Sequence, residues 1–393
     1  MEPANDSPAQ KTPAELGLES DRGTEIDHGP RQFNSSPLNL SRVFIGSDGL
    51  RAGWSILIAF SLFYALRFIF GTIFYTVGLV DENSGQTAGS TIVLELIPFL
   101  SMLVAGAAIA AVEHRSIFSY NLAGPRRIAS FLIGLVSGFF ALTALILTLG
   151  LGGWLRFGPQ TLSWLSTLSF AALWGCAFLL VGCVEEGLFR CYLLSTLTRG
   201  LNFWWALAAV TGLCAWPWLN GSAGQSDWGV YLIAGVGFFP CLYLHQRVKA
   251  RSAAFWLAAW VTSTGFGLIH TFNHGENPIG IFAAAAIGFA WCVSVRLTGS
   301  AFWAIGCHAA WDWGETYFYG TADSGLVPNG HLFSSAPAGN PLFSGGADGP
   351  EGSLFILGAI LLIVALTFAA RSILFRTGAK ESALSGVRAQ SDR

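Results

Sequence analysis

The chain has 393 residues, of which 53% are hydrophobic and only 11% are charged, and its mean hydropathy is +0.54. Soluble domains carry about 25% charged residues, so this composition excludes an ordinary soluble domain and predicts a polytopic helical membrane protein. The formal net charge of −2, without a basic stripe, argues against nucleic-acid binding. The seven cysteines form no Cys-x-x-Cys pair, which is typical of small buried residues rather than of disulfides or a thiolate metal site.

The N-terminal region is polar. Residues 1–30 are rich in acids, Pro, Ser and Gly and lack apolar periodicity, so we expect a disordered cytoplasmic tail over residues 1–50. This region contains no apolar core of a signal peptide, so the first membrane helix is expected to act as its own insertion signal.

Ten apolar segments follow, each about long enough to span a bilayer. Lys and Arg concentrate in the loops after the even-numbered segments, with Arg156 as the exception, and the positive-inside rule then predicts that both termini are cytoplasmic. The predicted fold class is all-α, a transmembrane bundle of about ten membrane helices, with a range of about eight to ten. The segments are approximately 52–78, 90–112, 128–152, 162–184 (continuing as helix to about 198), 201–218, 228–245, 253–272, 279–297, 300–320 and 353–375.

The predicted domain organisation follows these segments. N-terminal membrane helices occupy 51–160, a membrane core occupies 161–320, a last membrane helix occupies 353–376, and a cytoplasmic tail covers 377–393. The loop 321–352 has seven glycines and no Lys or Arg. Loops of this length are usually functional or disordered, so it is predicted to be a plain external loop, with a lid or plug over the outer face as the alternative.

Ionisable residues inside apolar segments are costly and therefore mark candidate functional sites. Glu185 lies at the inner end of the fourth segment, about 21 Å along its helix from the cytoplasmic side, and His270 lies at a matching depth of about 22 Å. His308 is shallower, at about 12 Å, a difference that helix tilt can close. Three pairs at a spacing of four residues each share one helical face: Glu186 and Arg190, Phe266 and His270, and His308 and Asp312.

Two carboxylates and two histidines are sufficient to activate a water molecule. A carboxylate accepts a proton from water, and imidazole nitrogens orient that water or bind a divalent metal. Asp312 could fix the tautomer of His308, or donate to an oxyanion when it is protonated.

These residues resemble the three signature motifs of the CPBP intramembrane proteases. This family includes the type II CAAX prenyl endopeptidases and bacterial relatives that are described as abortive-infection or bacteriocin-processing proteins. The resemblance covers residues 162–320 and lies in Glu-Glu-Gly-Leu-Phe-Arg at 185–190, Phe-Gly-Leu-Ile-His at 266–270 and His-Ala-Ala-Trp-Asp at 308–312.

The resemblance implies a membrane-embedded metalloendopeptidase of the bacterial cytoplasmic membrane, acting on membrane-associated or lipidated proteins or peptides. It implies that Glu185 activates water, that His270 positions that water, and that His308 and Asp312 support the oxyanion or bind metal. Glu186 and Arg190, with Phe266, would support them. Two mechanisms are left open. One uses a zinc ion held by Glu185, His270 and His308, and the other uses a glutamate and water without a metal.

Two features depart from the family pattern. The third motif often ends in Asn, whereas this chain has Asp312, which donates a hydrogen bond only when protonated. Arg190 and Phe266 are separated by an inserted membrane hairpin at about 201–246, where most relatives have one short turn. The hairpin could wall the site or alter substrate entry.

Other interpretations of the same residues remain open. A transporter could use the acids and histidines as a proton relay, and a catalytically silent scaffold could bind membrane partners. Glu185 and Glu186 could instead form salt bridges with basic residues at a helix end, and the histidines could be satisfied core residues. In these interpretations Arg190 and Arg199 are the bases, His270 is a core histidine, and His308 and Asp312 form a hydrogen-bonded pair. Glu95 is expected to be a polar packing contact, and Glu315 is expected at the outer interface.

Overall fold

The computed structural model describes residues 41–46, 49–80, 87–124, 126–224, 227–248, 251–273, 275–323 and 325–391. Most of the predicted N-terminal tail, residues 1–40, therefore lies outside the described residues.

The described residues form helices joined by short connections and two small antiparallel sheets. The helices are α1 (Ser41–Phe44), α2 (Ala52–Thr76), α3 (Ala88–Val112), α4 (Arg127–Leu151), α5 (Trp164–Glu186), α6 (Leu194–Gly200), α7 (Phe203–Leu219), α8 (Trp228–Arg247), α9 (Arg251–His270), α10 (Pro278–Thr298), α11 (Phe302–Asp312), α12 (Pro341–Ser344) and α13 (Ile356–Ser391). The strands are β1 (Ile45–Gly46), β2 (Gly49–Leu50), β3 (Leu155–Gln160) and β4 (Phe333–Pro337).

The prediction of an all-α membrane bundle is confirmed. Eight helical segments among the described residues are long and apolar enough to cross a membrane. The other two predicted segments are also helical: α7 is shorter, with 17 residues, and α11 continues into a π-helical segment, Trp313–Tyr319. A second π-helical segment, Gly187–Leu193, joins α5 to α6. The cytoplasmic location of both termini remains a prediction.

Helices α9 and α10 lie at the centre of the bundle. In the apolar windows of the spans Ser252–His270 and Pro278–Thr298, 67% and 61% of the residues are buried, against 11% in Ala52–Thr76 at the periphery. Helix α10 starts at a strong boundary, because the side chain of Asn277 accepts hydrogen bonds from two backbone amides of its first turn and Pro278 follows.

Small residues bring α4 and α11 into backbone contact. An ideal Cβ atom at Gly138 would lie 2.0 Å from the carbonyl oxygen of Cys307, and one at Gly134 would lie 2.2 Å from that of Trp303. Gly306 on α11 faces α4 in the same way, with the carbonyl oxygen of Phe131 at 2.3 Å. Close approach of this kind is the usual basis of helix association in membranes. It fixes α11, which carries two of the motif residues.

The inserted hairpin consists of α7 and α8 and packs against α9. Its own apolar cluster includes Phe203, Val210 and Cys241, which contact Trp260 on α9. The indole of Trp260 donates a hydrogen bond to the carbonyl oxygen of Ala234 over 3.1 Å. The hairpin also packs against the motif end of α9, where Val230 on α8 forms a cluster with Leu268.

The loop 321–352 is folded onto the helices. Strand β4 pairs with β3, the connection between α4 and α5, with Leu155 opposite Pro337 and Gln160 opposite Phe333. The side-chain amide of Asn277 donates to two carbonyl oxygens of the loop, those of Gly345 at 3.3 Å and Gly352 at 3.1 Å. These contacts hold the loop against the helices, and the plain external loop and the lid or plug both remain predictions.

Candidate active site

The paired acids lie at the end of α5, directly before the first π-helical segment. The side chain of Glu185 is 30% exposed, whereas that of Glu186 is fully buried. The second π-helical segment begins directly after Asp312, the last residue of the third motif. Short π-helical insertions often accompany functional sites. Both carboxylate motifs of this chain are thus followed by such a segment.

His308 connects the acids of the two motifs. Its Nδ1 lies 3.0 Å from Oε1 of Glu186, and its Nε2 lies 3.4 Å from Oδ2 of Asp312 and 3.9 Å from Oε2 of Glu185. A carboxylate only accepts hydrogen bonds, so Nδ1 carries the proton that is donated to Glu186. The Nε2 edge therefore faces Glu185 and Asp312. The ring of Trp291 stacks on the imidazole with centroids 4.4 Å apart.

Arg190 compensates the buried charge of Glu186. Its Nη1 lies 3.2 Å from Oε1 of Glu186, and its guanidinium lies over the ring of Phe266 at 4.1 Å. Cation–π contact of this kind stabilises a desolvated guanidinium. An ideal Cβ at position 288 would lie 2.3 Å from Nη2 of Arg190, so Gly288 on α10 leaves the space that the guanidinium occupies.

His270 is oriented by its own helix. Its Nδ1 lies 2.7 Å from the carbonyl oxygen of Phe266, one turn earlier, so Nδ1 donates that hydrogen bond. The other nitrogen, Nε2, is then an acceptor in the neutral ring. The ring of Phe266 also lies between the two histidines, with its centroid 4.8 Å from His270 and 6.3 Å from His308.

A cavity of about 290 Å³ joins these residues. None of the described residues of the hairpin α7–α8 lines it, so His270 reaches the site without obstruction from the insertion. The polar and aromatic residues of the cavity wall are Thr91, Glu95, Trp174, Phe178, Glu185, Phe266, His270, Asn273, Trp291, His308, Trp311, Asp312, Thr316, Asp323 and Glu351.

The structure thus brings together all the predicted site residues. Glu185, His270, His308 and Asp312 line the cavity with Phe266, whereas Glu186 and Arg190 lie behind them.

Three residues behave differently from the sequence-based expectation. Arg199 pairs with Glu113 through two contacts of 2.8 and 3.0 Å rather than with the motif acids. Glu315, expected at the outer interface, is fully buried. Glu95 lines the cavity, although it was expected to be a packing contact. Each outcome depends on partners that are remote in the chain, and no local pattern in the sequence indicates them.

The predicted zinc ligands do not form a compact set in this conformation. The ligand atoms of Glu185, His270 and His308 do not all lie within 4.8 Å of one another. Among the described residues, that spacing is found for Glu315, Asp323 and Glu351. A tetrahedral zinc ion needs ligand atoms closer than that, at about 2.0–2.3 Å from the metal. Zinc binding at this site remains a prediction.

A comparison with known families supports the predicted family resemblance. The family model described as type II CAAX prenyl endopeptidase Rce1-like matches residues 238–314. The predicted family resemblance is confirmed. The Rce1-like match contains the second and third motifs, and the motif at Glu185 lies outside it. This family indicates an intramembrane protease of the CAAX type. No curated protein and no solved structure matches the chain.

Proposed function

We propose that the protein is an intramembrane endopeptidase in which Glu185 activates the hydrolytic water. The observation that carries this proposal is the shared cavity, where a partly exposed carboxylate and the half-buried His270 line one wall with the His308–Asp312 pair. A partly exposed acid beside oriented imidazoles is suited to general base catalysis.

Glu185 and His270 have different roles toward the hydrolytic water molecule. Because Nδ1 of His270 is occupied by the Phe266 carbonyl oxygen, Nε2 accepts a hydrogen bond from the water and orients it. Glu185 removes the other proton as the water oxygen attacks the peptide carbonyl carbon. It then returns this proton to the leaving amine as the carbon–nitrogen bond breaks, so atoms and charge balance.

His308 stabilises the negative charge that develops on the carbonyl oxygen. Glu186 accepts from Nδ1 and fixes the plane of the ring, so the doubly protonated imidazolium directs its Nε2 proton to the region between Glu185 and Asp312. A donor placed in advance at this position stabilises a tetrahedral oxyanion in a site that excludes bulk water. Asp312 holds the Nε2 edge in place between turnovers.

The position of the cavity inside the bundle supports a substrate that is associated with the membrane. Its walls include apolar residues of helices that span the membrane, among them Phe178, Val181 and Ile287. A substrate must therefore approach through or along the bilayer, which suits a membrane-associated or lipidated protein or peptide. The predicted location in a bacterial cytoplasmic membrane belongs to the same proposal.

Cleavage by purified protein tests the proposal. The full chain is reconstituted in lipid and incubated with a membrane proteome and with prenylated and unprenylated peptides, beside Glu185→Gln and His270→Ala. We expect new termini with the unaltered chain and none with either variant. Cleavage that persists in both variants would overturn the assignment. Proton or ion flux that both substitutions abolish, without any cleavage, would establish the transporter alternative.

A further inference from the structure

Three carboxylates from separate parts of the chain converge at the outer wall of the cavity. Glu315 lies in the second π-helical segment, Asp323 follows it in the loop, and Glu351 lies in the short turn before α13. Each carboxylate offers one oxygen, and these three oxygens all lie within 4.8 Å of one another. We call Glu315, Asp323 and Glu351 the acidic trio.

Glu315 has an oxygen that lacks a partner. The residue is fully buried, and its Oε2 accepts a hydrogen bond of 3.1 Å from the indole of Trp311. Its Oε1 has no hydrogen-bond donor among the described residues. Because the carboxylate of Glu315 is grouped with those of Asp323 and Glu351, the unpartnered charge belongs to the trio. Leaving such a group buried and unpaired is costly, which indicates a missing cation or proton.

No Lys or Arg side chain is paired with the trio among the described residues. The sequence of the loop 321–352 contains no Lys or Arg. Asp348, which is 1% exposed, adds further negative charge in the same loop. The existing hydrogen bonds to Asp323 and Glu351 come from neutral donors, Thr316 Oγ1 and Trp311 Nε1.

The chemistry of the trio selects the type of ligand. Carboxylate oxygens without histidine or cysteine favour hard divalent cations such as Ca²⁺ and Mg²⁺ over zinc. Oxygens on opposite sides of Ca²⁺ lie about 4.6–5.2 Å apart, since each Ca–O distance is about 2.3–2.6 Å. The trio has its oxygens within 4.8 Å of one another, so it accepts Ca²⁺ with little movement.

We propose that Glu315, Asp323 and Glu351 bind a hard divalent cation that fastens the loop 321–352 to the helix carrying His308 and Asp312. Asp323 and Glu351 both line the cavity, so the cation forms part of its outer wall. Trp311 also lines the cavity and donates to two members of the trio. The proposed role of the cation is structural, and none of its three carboxylates is among the proposed water-activating residues.

The ionisation of the loop acids agrees with this arrangement. Burial, reinforced by the charges of Asp323 and Asp348, raises the pKa of Glu351 to about 8. Burial likewise raises the pKa of Asp323 to about 6.

Thermal unfolding of the chelated, lipid-reconstituted full chain tests the proposal. We expect millimolar Ca²⁺ to raise the unfolding temperature by several degrees and Mg²⁺ to raise it less, because a ligand that binds only the folded state stabilises it. Glu315→Gln and Glu351→Gln should each weaken Ca²⁺ binding at least about tenfold. Glu113→Gln alters a buried acid that pairs with Arg199 instead, so it should keep the full Ca²⁺-dependent shift.

Terbium luminescence provides a readout that does not depend on stability. Tb³⁺ replaces Ca²⁺ in oxygen sites, and the indole of Trp311 lies beside the trio, so excitation of tryptophan should produce terbium emission. Emission should be lost in Glu351→Gln and displaced by Ca²⁺. An unfolding temperature that does not respond to either Ca²⁺ or Mg²⁺, or a Ca²⁺ shift unchanged in both Gln variants, would overturn the proposal. Neither readout involves cleavage, so this result stands apart from the proposed protease activity.

Discussion

His308 Nδ1 lies 3.0 Å from Oε1 of Glu186, the same oxygen that lies 3.2 Å from Nη1 of Arg190. Oε1 of the second acid is therefore held inside the protein between a guanidinium and an imidazole, whereas its Oε2 has no hydrogen-bond partner among the described residues. Its neighbour Glu185 points to the cavity, with a partly exposed carboxylate. Two adjacent residues of one type thus have different environments, and the first two predictions follow from this difference.

Glu185→Gln is expected to remove activity without damaging the fold. The amide cannot accept a proton from water, so the cleavage rate should fall by about 10²–10⁴-fold. The unfolding temperature should change little, because the nearest charged partner of Glu185 is His308 at 3.9 Å. Cleavage assays and thermal unfolding of the same preparation check both parts. Full activity in this variant would exclude Glu185 as the base.

Glu186→Ala is expected to act mainly on stability. It leaves Arg190, which is 1% exposed, without its acidic partner, and breaking a buried ion pair costs about 3–5 kcal/mol. Chemical or thermal unfolding in detergent measures this loss. A stability equal to that of Glu185→Gln would show that the Glu186–Arg190 pair contributes little.

Asp312→Asn should retain activity within about tenfold, whereas Asp312→Ala should lose about 10²-fold, as for a positioned hydrogen-bonding group. An amide oxygen can accept from Nε2 of His308 as the carboxylate does, across the present 3.4 Å. The family motif, which often ends in Asn, is consistent with this expectation. Cleavage rates of the two variants at one substrate concentration decide the matter. Equal loss in both would show that the negative charge itself is required.

Gly138→Ala is expected to destabilise the protein by about 1–3 kcal/mol, as overpacking of a close contact does. The new Cβ would lie 2.0 Å from the carbonyl oxygen of Cys307, and a backbone atom in α11 cannot move aside alone. Activity should fall as well, because His308 follows Cys307. Gly106→Ala on α3 is the matched control, since no atom lies within 4 Å of its added Cβ. Similar unfolding temperatures for the two variants would contradict the close packing of α4 and α11.

The stability of the chelated protein should fall as pH rises from about 4.5 to about 8. Burial, and then the charges of Asp323 and Asp348, raise the pKa of Glu351 from 4.5 to about 8. Burial raises the pKa of Asp348 from 3.8 to about 7, although hydrogen bonds from the Asn277 amide and from Glu276 oppose the rise. A carboxyl group whose pKa is higher in the folded state keeps its proton longer there, so its stabilising effect is complete at low pH and is lost as pH rises. The titratable groups that affect these acids are Asp323, Glu276 and His308, and the neutral donors are the backbone amide of Asn277 and the indole of Trp311.

Unfolding temperatures measured with a chelator across this pH range test the expectation. Glu351→Gln should flatten the decline, because it removes the group with the higher of the two pKa values. A stability that rises over the same range would show that these acids are ionised and paired in the folded protein.

Much of the site could be predicted because its residues obey a local rule. Glu186 and Arg190 share a face through a spacing of four residues, and the contact of 3.2 Å agrees with that prediction. The depth estimate for Glu185 and His270 also agrees with their shared cavity. The same reasoning could not place Glu95, Glu315 or the pairing of β3 with β4. The positions of these residues and strands depend on contacts between segments that are distant in the chain. The spacing of residues within one segment does not predict such contacts.

The sequence by itself determined the class of protein, the helical segments and the three motifs. Apolar length and spacing along a helix are one-dimensional properties, and a bilayer converts them directly into spans and faces. Only the tertiary structure decided that the α7–α8 hairpin stays clear of the cavity and that Glu186 faces His308. It alone decided that the loop 321–352 supplies Asp323 and Glu351 to the outer wall. Those outcomes depend on which helix faces meet, and close contacts such as that of Gly138 with Cys307 determine that meeting.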